Sequence, residues 1–309
     1  GSATRKRIGP GGYLKFRFGS HYHRSHYQDP LMEAGIGHND DLTQGGDLFF
    51  SPELRFQLYR GAFLNCNLQS RYEHVSTQSD TPTPLGNGQA TRQRLSYGVG
   101  LDIKQFLFNN RLIVVPGLRL DMRHSYFAQP EGEGEVLDLG ANHRTMGFSP
   151  RIALRFQVFP ALEVRASIAQ YDRPPTLSEL FGDRGYQVGN EGLVSEKGLS
   201  FDAGLITQFH VGSHEGYWHA AFFGQLSENL IAWIPTAGRI RPDNIQKAKV
   251  LGFESSLQAH FWRKRIRLSA NYTFMYTENG SPEQAHHGQA LPGRPRHDVV
   301  AKLNVGESW

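Results

Sequence analysis

Apolar residues recur along this chain at every second position far more often than at every third or fourth. From Arg265 onward, Ile266, Leu268, Ala270, Tyr272, Phe274 and Tyr276 fall on one face of an extended chain, and Arg265, Arg267, Ser269, Asn271 and Thr273 on the other. Successive side chains of a strand point to opposite faces, so this alternation predicts strands with one apolar and one polar surface. The same pattern sets Leu162, Val164, Ala166 and Ile168 against Glu163, Arg165, Ser167 and Tyr171. It sets Leu118, Leu120 and Met122 against Arg119, Asp121 and Arg123, and Ile152, Leu154, Phe156 and Val158 against Arg151, Arg155 and Gln157. Several segments run about 10 residues or more, the length of a tilted strand crossing a bilayer. Aromatic residues gather near the segment ends, among them Tyr126, Phe127, Phe159, Tyr171, Trp218, Trp233, Trp262 and Tyr276, as in interfacial girdles.

About twelve strands are expected on this basis. They lie near residues 12–24, 46–60, 61–76, 92–107, 111–127, 146–158, 161–171, 196–210, 216–234, 244–261, 265–277 and 296–306. The links alternate between long polar stretches, such as 25–45, 77–91, 128–145, 172–195 and 278–295, and tight ones such as Arg60 and Gly61, Asn109 and Asn110, or Phe159 and Pro160. Short periplasmic turns and long extracellular loops give a membrane barrel this asymmetry. A soluble sandwich shares the alternation but has no reason to sort its loops by side.

Composition narrows the class further. The chain has 309 residues, 39% of them hydrophobic, with 34 glycines and a single cysteine, Cys66. One cysteine excludes a disulfide framework, and no apolar run approaches the ~20 residues of a spanning helix. A barrel strand shows lipid only every second side chain, so modest hydropathy is compatible with membrane insertion. The net charge of +4 is spread along the chain, which argues against a nucleic-acid-binding tail. No phosphate-cradling glycine loop or Gly-x-Ser-x-Gly elbow occurs, so no enzyme activity and no cofactor are expected.

Several motifs resemble a known family. Phe148-Ser-Pro-Arg-Ile-Ala-Leu-Arg-Phe156 is followed by Tyr171-Asp-Arg-Pro-Pro-Thr-Leu-Ser-Glu-Leu-Phe-Gly182 and by Gly189-Asn-Glu-Gly-Leu-Val-Ser-Glu-Lys197. Asn229-Leu-Ile231, Asn244-Ile-Gln-Lys-Ala-Lys-Val-Leu-Gly-Phe-Glu254 and Leu291-Pro-Gly-Arg-Pro-Arg-His297 come after them in order. Together these resemble the barrel of TonB-dependent receptors, well over residues 146–300 and by pattern only before that. Glu191 and Ser195 depart from it, standing where the family usually has proline. The resemblance implies an all-β, transmembrane antiparallel β-barrel, with residues 1–309 forming part of a wall of about 22 strands. It implies an outer-membrane location in a Gram-negative bacterium and import of an iron-siderophore, cobalamin or other scarce nutrient, driven by the TonB complex through a plug domain absent from this sequence. The expected partners are TonB, a metal chelate or similar small ligand, and outer-membrane lipid or lipopolysaccharide. A passive porin-like channel or another small outer-membrane barrel is the alternative; closure at about twelve strands with Trp309 as a terminal aromatic is the less favoured arrangement.

Candidate ligand-contacting residues are few. His21 and His23 share the polar face of their strand with Lys15 and Arg17 and, with His26, are weak candidates for a transition metal or its chelate; filling of a polar lumen is the simpler role. His286 and His287 are weaker still, since adjacent residues of one loop rarely address a single ion. Arg119, Arg123, Arg151, Arg155, Arg165 and Arg267 suit anionic ligands through bidentate contacts, although charge balance against Asp121, Glu163 and a plug is the preferred reading. Arg173, Pro174, Pro175, Glu179 and Phe181 are expected to build a structured loop start, with Glu179 satisfying nearby amides.

Overall fold

The computed structural model describes residues 2–9, 11–29, 31, 39–79, 89–128, 142–181, 187–236, 239–262, 265–280 and 287–306. Part of each long link, together with His286 and Trp309, lies outside these residues. Among those described, thirteen strands form one sheet in strict chain order, every neighbouring pair antiparallel. They are β1 (Ser2–Arg7), β2 (Tyr13–Asp29), β3 (Asn39–Tyr59), β4 (Ala62–Ser79), β5 (Gln89–Leu107), β6 (Leu112–Ala128), β7 (Asn142–Phe159), β8 (Leu162–Arg173), β9 (Glu196–Val211), β10 (His214–Thr236), β11 (Arg239–Phe261), β12 (Ile266–Asn279) and β13 (His297–Val305). One short helix, α1 (Leu177–Phe181), interrupts the meander between β8 and β9. No helix among the described residues is long and apolar enough to cross a membrane, which says nothing of strands.

Two details extend the expectation among the described residues. The strand count is thirteen rather than about twelve, because β1 pairs with β2 from Ser2↔Phe18 to Arg7↔Tyr13. Its Arg5, Lys6 and Arg7 show no alternation, so nothing in the pattern marks a strand there. Several strands also extend further toward the long links than expected, β3 beginning at Asn39 and β11 at Arg239. Beyond a lipid-contacting band the outward positions need not be apolar, and the alternation fades although the ladder continues.

The tight turns follow from residues that tolerate a left-handed backbone. Gly61 has φ +90°, and Asn109 and Asn110 have φ of 54° and 69°; glycine and asparagine enter that region at little cost. Register then fixes the faces. The pairs Arg71↔Ser96, Ser96↔Arg123 and Arg123↔Thr145 carry one polar row across β4 to β7, while Leu120, Met122, Phe148, Ile152 and Leu154 project from the opposite face and are largely exposed. Phe222 is 68% exposed on that apolar face. In water such a surface would aggregate; against hydrocarbon it is the stabilising face. On the polar face, Gly98 and Gly117 lie beneath the side chains of Arg119 and Arg151. A Cβ on Gly98 would overlap the Arg119 guanidinium, and one on Gly117 would lie 2.9 Å from Arg151 Nε.

Buried apolar clusters are small, and they form where the long connections fold back on the sheet. Leu180 and Leu193 of the β8–β9 connection pack with Ile231. Leu291 of the β12–β13 connection packs with Leu230, Ile245, Ala248 and Val250.

Candidate functional site

The polar face at the long-connection end carries the chemistry, and the β8–β9 connection organises it. Pro174 and Pro175 fix the backbone as the chain leaves β8. Thr176 and Glu179 then cap α1 reciprocally: Glu179 N donates to Thr176 Oγ1 at 3.1 Å, and Thr176 N donates to Glu179 Oε2 at 2.7 Å. This capping box satisfies two amides that a helix start leaves unpaired. Both Glu179 carboxylate oxygens also accept from Arg173 Nη1, at 3.0 and 3.1 Å.

Charged groups of the wall hold the connection in place. The buried Arg94 donates from Nη1 to the Pro175 carbonyl at 2.8 Å and from Nε to Ser125 at 3.2 Å. Arg92 pairs with Glu191 at 2.9 Å. Arg123 pairs with Asp172 at 2.7 Å, with both side chains at least nine-tenths buried, and Asp172 fills the space beside Gly147, where a Cβ would stand 3.0 Å from its carboxylate. Glu196, 3% exposed, accepts from Arg173 and from the Tyr171 hydroxyl, itself 2.7 Å from Ser227 Oγ. Further along, Asn190 donates to the Pro242 carbonyl, and Asn244 bonds Val194 through both N–H and carbonyl. Unpaired charge at such depth would cost several kcal/mol per group, and every one of these has a partner.

The expected site residues are distributed as follows. Arg119 is bidentate to Asp121 at 2.7 and 2.8 Å and reaches Gln69. Arg165 and Arg155 both pair with Glu163, close to the β7–β8 turn and away from the β8–β9 connection. Arg151 pairs with Asp102. His21 and His23 stack, with ring centroids 5.9 Å apart, and His21 lies 4.0 Å from Asp47. His26 is not brought to them: its Nε2 lies 2.6 Å from Asp40. Among the described residues no group of three or more His, Cys, Asp or Glu has an arrangement able to hold a metal ion. Arg173 and Glu179 meet each other, as described.

Two spaces open between the wall and this connection. One, of ≈ 650 Å³, is lined by His21, His23, Asp47, Arg71, Glu73 and Thr176. The other, ≈ 250 Å³, is lined by Arg94, Arg119, Asp121, Arg123, Pro174 and Pro175. Both are mixed in charge, with guanidinium and carboxylate groups in each lining.

A family model described as TonB dependent receptor-like, beta-barrel, matches residues 4–309. The chain belongs to that family. Among curated protein sequences, none matches. Solved structures of the same architecture include the copper transporter OprC, with 13% identity and a TM-score of 0.72 over 99% of this chain and 50% of that one. The pyoverdine outer membrane receptor FpvA from Pseudomonas aeruginosa PAO1 gives 15% and 0.71 over 97% and 46%. The ferric yersiniabactin uptake receptor FyuA from Yersinia pestis gives 13% and 0.68 over 98% and 46%. At these identities the likeness is one of fold, and the chain spans about half the length of the structures it matches.

Sequence reasoning missed Arg94, Asp172 and Glu196, three of the best-buried charged groups of this TonB-dependent receptor barrel. For Arg94 a signal existed: Arg92, Arg94 and Ser96 alternate with Leu95, Tyr97 and Val99. For Asp172 and Glu196 there was none, because their partners lie on other strands.

Proposed function

We propose that this barrel segment is part of an outer-membrane receptor that binds a scarce nutrient, an iron-siderophore or other metal chelate being the favoured class, and imports it with energy delivered by the TonB complex. Family membership and the apolar outer face support the membrane setting. The observation that carries the reading beyond a passive channel is the β8–β9 connection, folded over the polar face and fixed there by Arg94, Arg123 and Arg173. A receptor needs ordered surfaces for its ligand and for a plug, and a latched connection supplies one. We further propose that the thirteen strands are closed by others, since β1 and β13 pair on one side only among the described residues and an open edge in lipid leaves backbone groups unsatisfied.

The test is uptake by cells carrying the full-length protein, with and without the inner-membrane proton gradient. The expected result is uptake that stops when the gradient is dissipated and that falls in an Arg94→Met, Arg173→Met double variant still inserted in the membrane. Uptake that ignores both would show a passive pore.

A further inference from the structure

Charge is divided unevenly between two halves of the inner face. Arg92, Arg173 and Glu196 are set aside, since they are paired within the β8–β9 latches. Among the other described residues, the inner face of β5 to β8 carries Arg94, Arg119, Arg123, Arg151, Arg155 and Arg165, with Lys104, against Asp102, Asp121, Glu163 and Asp172. On β9 to β13, Arg267 and Lys302 stand against Asp202, Glu215, Glu254 and Asp298.

The arginines form a continuous track. Ser96 pairs with Arg123, Arg119 with Ser149, and Gly117 with Arg151, so Arg94, Arg123, Arg119 and Arg151 follow one another on adjacent strands at steps of two or four residues. Arg155 and Arg165 face each other toward the β7–β8 turn. Four residues of strand span about 13 Å, and long guanidinium side chains bridge much of that gap.

Exposure decides what a passing solute meets. Arg119, Arg151, Arg155 and Arg165 are 39 to 59% exposed, whereas Asp102, Asp121 and Glu163 are 11 to 22% exposed. Arg151 reaches Asp102 through Nη2 and Arg165 reaches Glu163 through Nε, each by one hydrogen bond among the described residues. A guanidinium has five N–H donors, so most of theirs stay open on the inner side.

From this asymmetry we propose that the β5–β8 face is the path along which the imported ligand moves, and that this ligand is an anion bearing carboxylate groups. The proposal rests on the import reading above and adds to it the charge class of the cargo and its side of the wall. Guanidinium takes carboxylate through paired hydrogen bonds, as Arg119 already does with Asp121. The resident carboxylates offset part of each positive charge, so a ligand is held weakly enough at one arginine to leave for the next.

The test reads charge at the wall in the full-length protein in lipid vesicles, with the outward-facing Cys66 removed by Cys66→Ala. Ser149→Cys reports on the β5–β8 face, opposite Arg119, and Ser256→Cys on the other half, opposite His219 and Asn271. Each is reacted with a sulfonate-bearing and with a trimethylammonium-bearing methanethiosulfonate. The anionic-to-cationic rate ratio is expected to be about tenfold higher at Ser149→Cys, and citrate should slow the anionic reagent there and not at Ser256→Cys. Adding Arg151→Gln and Arg165→Gln should bring the two ratios together; Asp102 keeps Asn65 and Glu163 keeps Arg155 in that variant, so the wall retains its pairing. Equal ratios at the two positions, a ratio unmoved by the arginine changes, or no protection by citrate would each overturn the proposal. So would a Ser149→Cys that reacts with neither reagent, which would mean that a plug covers this face. No nutrient and no energy source enters the measurement, so its failure is distinct from failure of the uptake test.

Discussion

Strand β6 carries two surfaces that obey different rules. Outward, Leu118, Leu120 and Met122 are partly exposed and make no directional contact. Inward, one residue away in each case, Arg119 and Arg123 each meet a named carboxylate, and Asp121 takes a bidentate guanidinium. The outer surface tolerates any side chain that lipid tolerates. The inner surface is specific, because each buried charge depends on a particular partner, whether on the same strand, as for Asp121, or on another, as for Arg123. Outward substitutions should therefore be graded by polarity alone, and inward ones by whether a partner is left behind.

The sharpest break comes from Arg123→Leu. It strands Asp172, and removal of one member of a buried pair costs about 3–5 kcal/mol. Urea unfolding of the lipid-reconstituted barrel should show it, with Asp172→Asn restoring part of the loss in the double variant; additive losses would mean that the pair is not the relevant contact. Next, Leu120→Arg should cost ~2–4 kcal/mol near the bilayer midplane, while Thr273→Arg on the inner face should be far milder. Folding yields into vesicles compare the two, and equal effects would reverse the assignment of faces. Glu179→Ala removes a helix cap worth about 1 kcal/mol and releases Arg173, so protease cleavage within the β8–β9 connection should rise while the wall stays intact. The smallest effect is expected for Arg165→Gln, which is half-exposed and shares Glu163 with Arg155. Such exposed pairs contribute about 0–1 kcal/mol, and a larger loss in the same unfolding assay would show that this end of the barrel is more tightly coupled than its exposure indicates.

The outer surface was also the legible one. Leu118, Leu120 and Met122 against Arg119, Asp121 and Arg123 announce both the strand and its faces, because the rule is local and has a period of two. The same rule located the tight turns at Gly61 and at Asn109 and Asn110. It failed at β1, where both faces are polar, and above the apolar band, where β3 and β11 run on without alternation. The inner surface resisted for a different reason. Nothing near Arg94 names Pro175, 81 positions away, and nothing near Glu196 names Tyr171 or Ile231. The local part of the β8–β9 connection, Pro174 to Glu179, could be read from spacing; the latches that hold it could not.

Glycine also shapes the inner face. Arg119 and Arg151 lie flat because Gly98 and Gly117 offer no side chain to lift them. A methyl group at either position would lift a guanidinium off the inner face without altering a strand or its register. The relief of the inner face is thus adjustable one hydrogen-for-methyl exchange at a time.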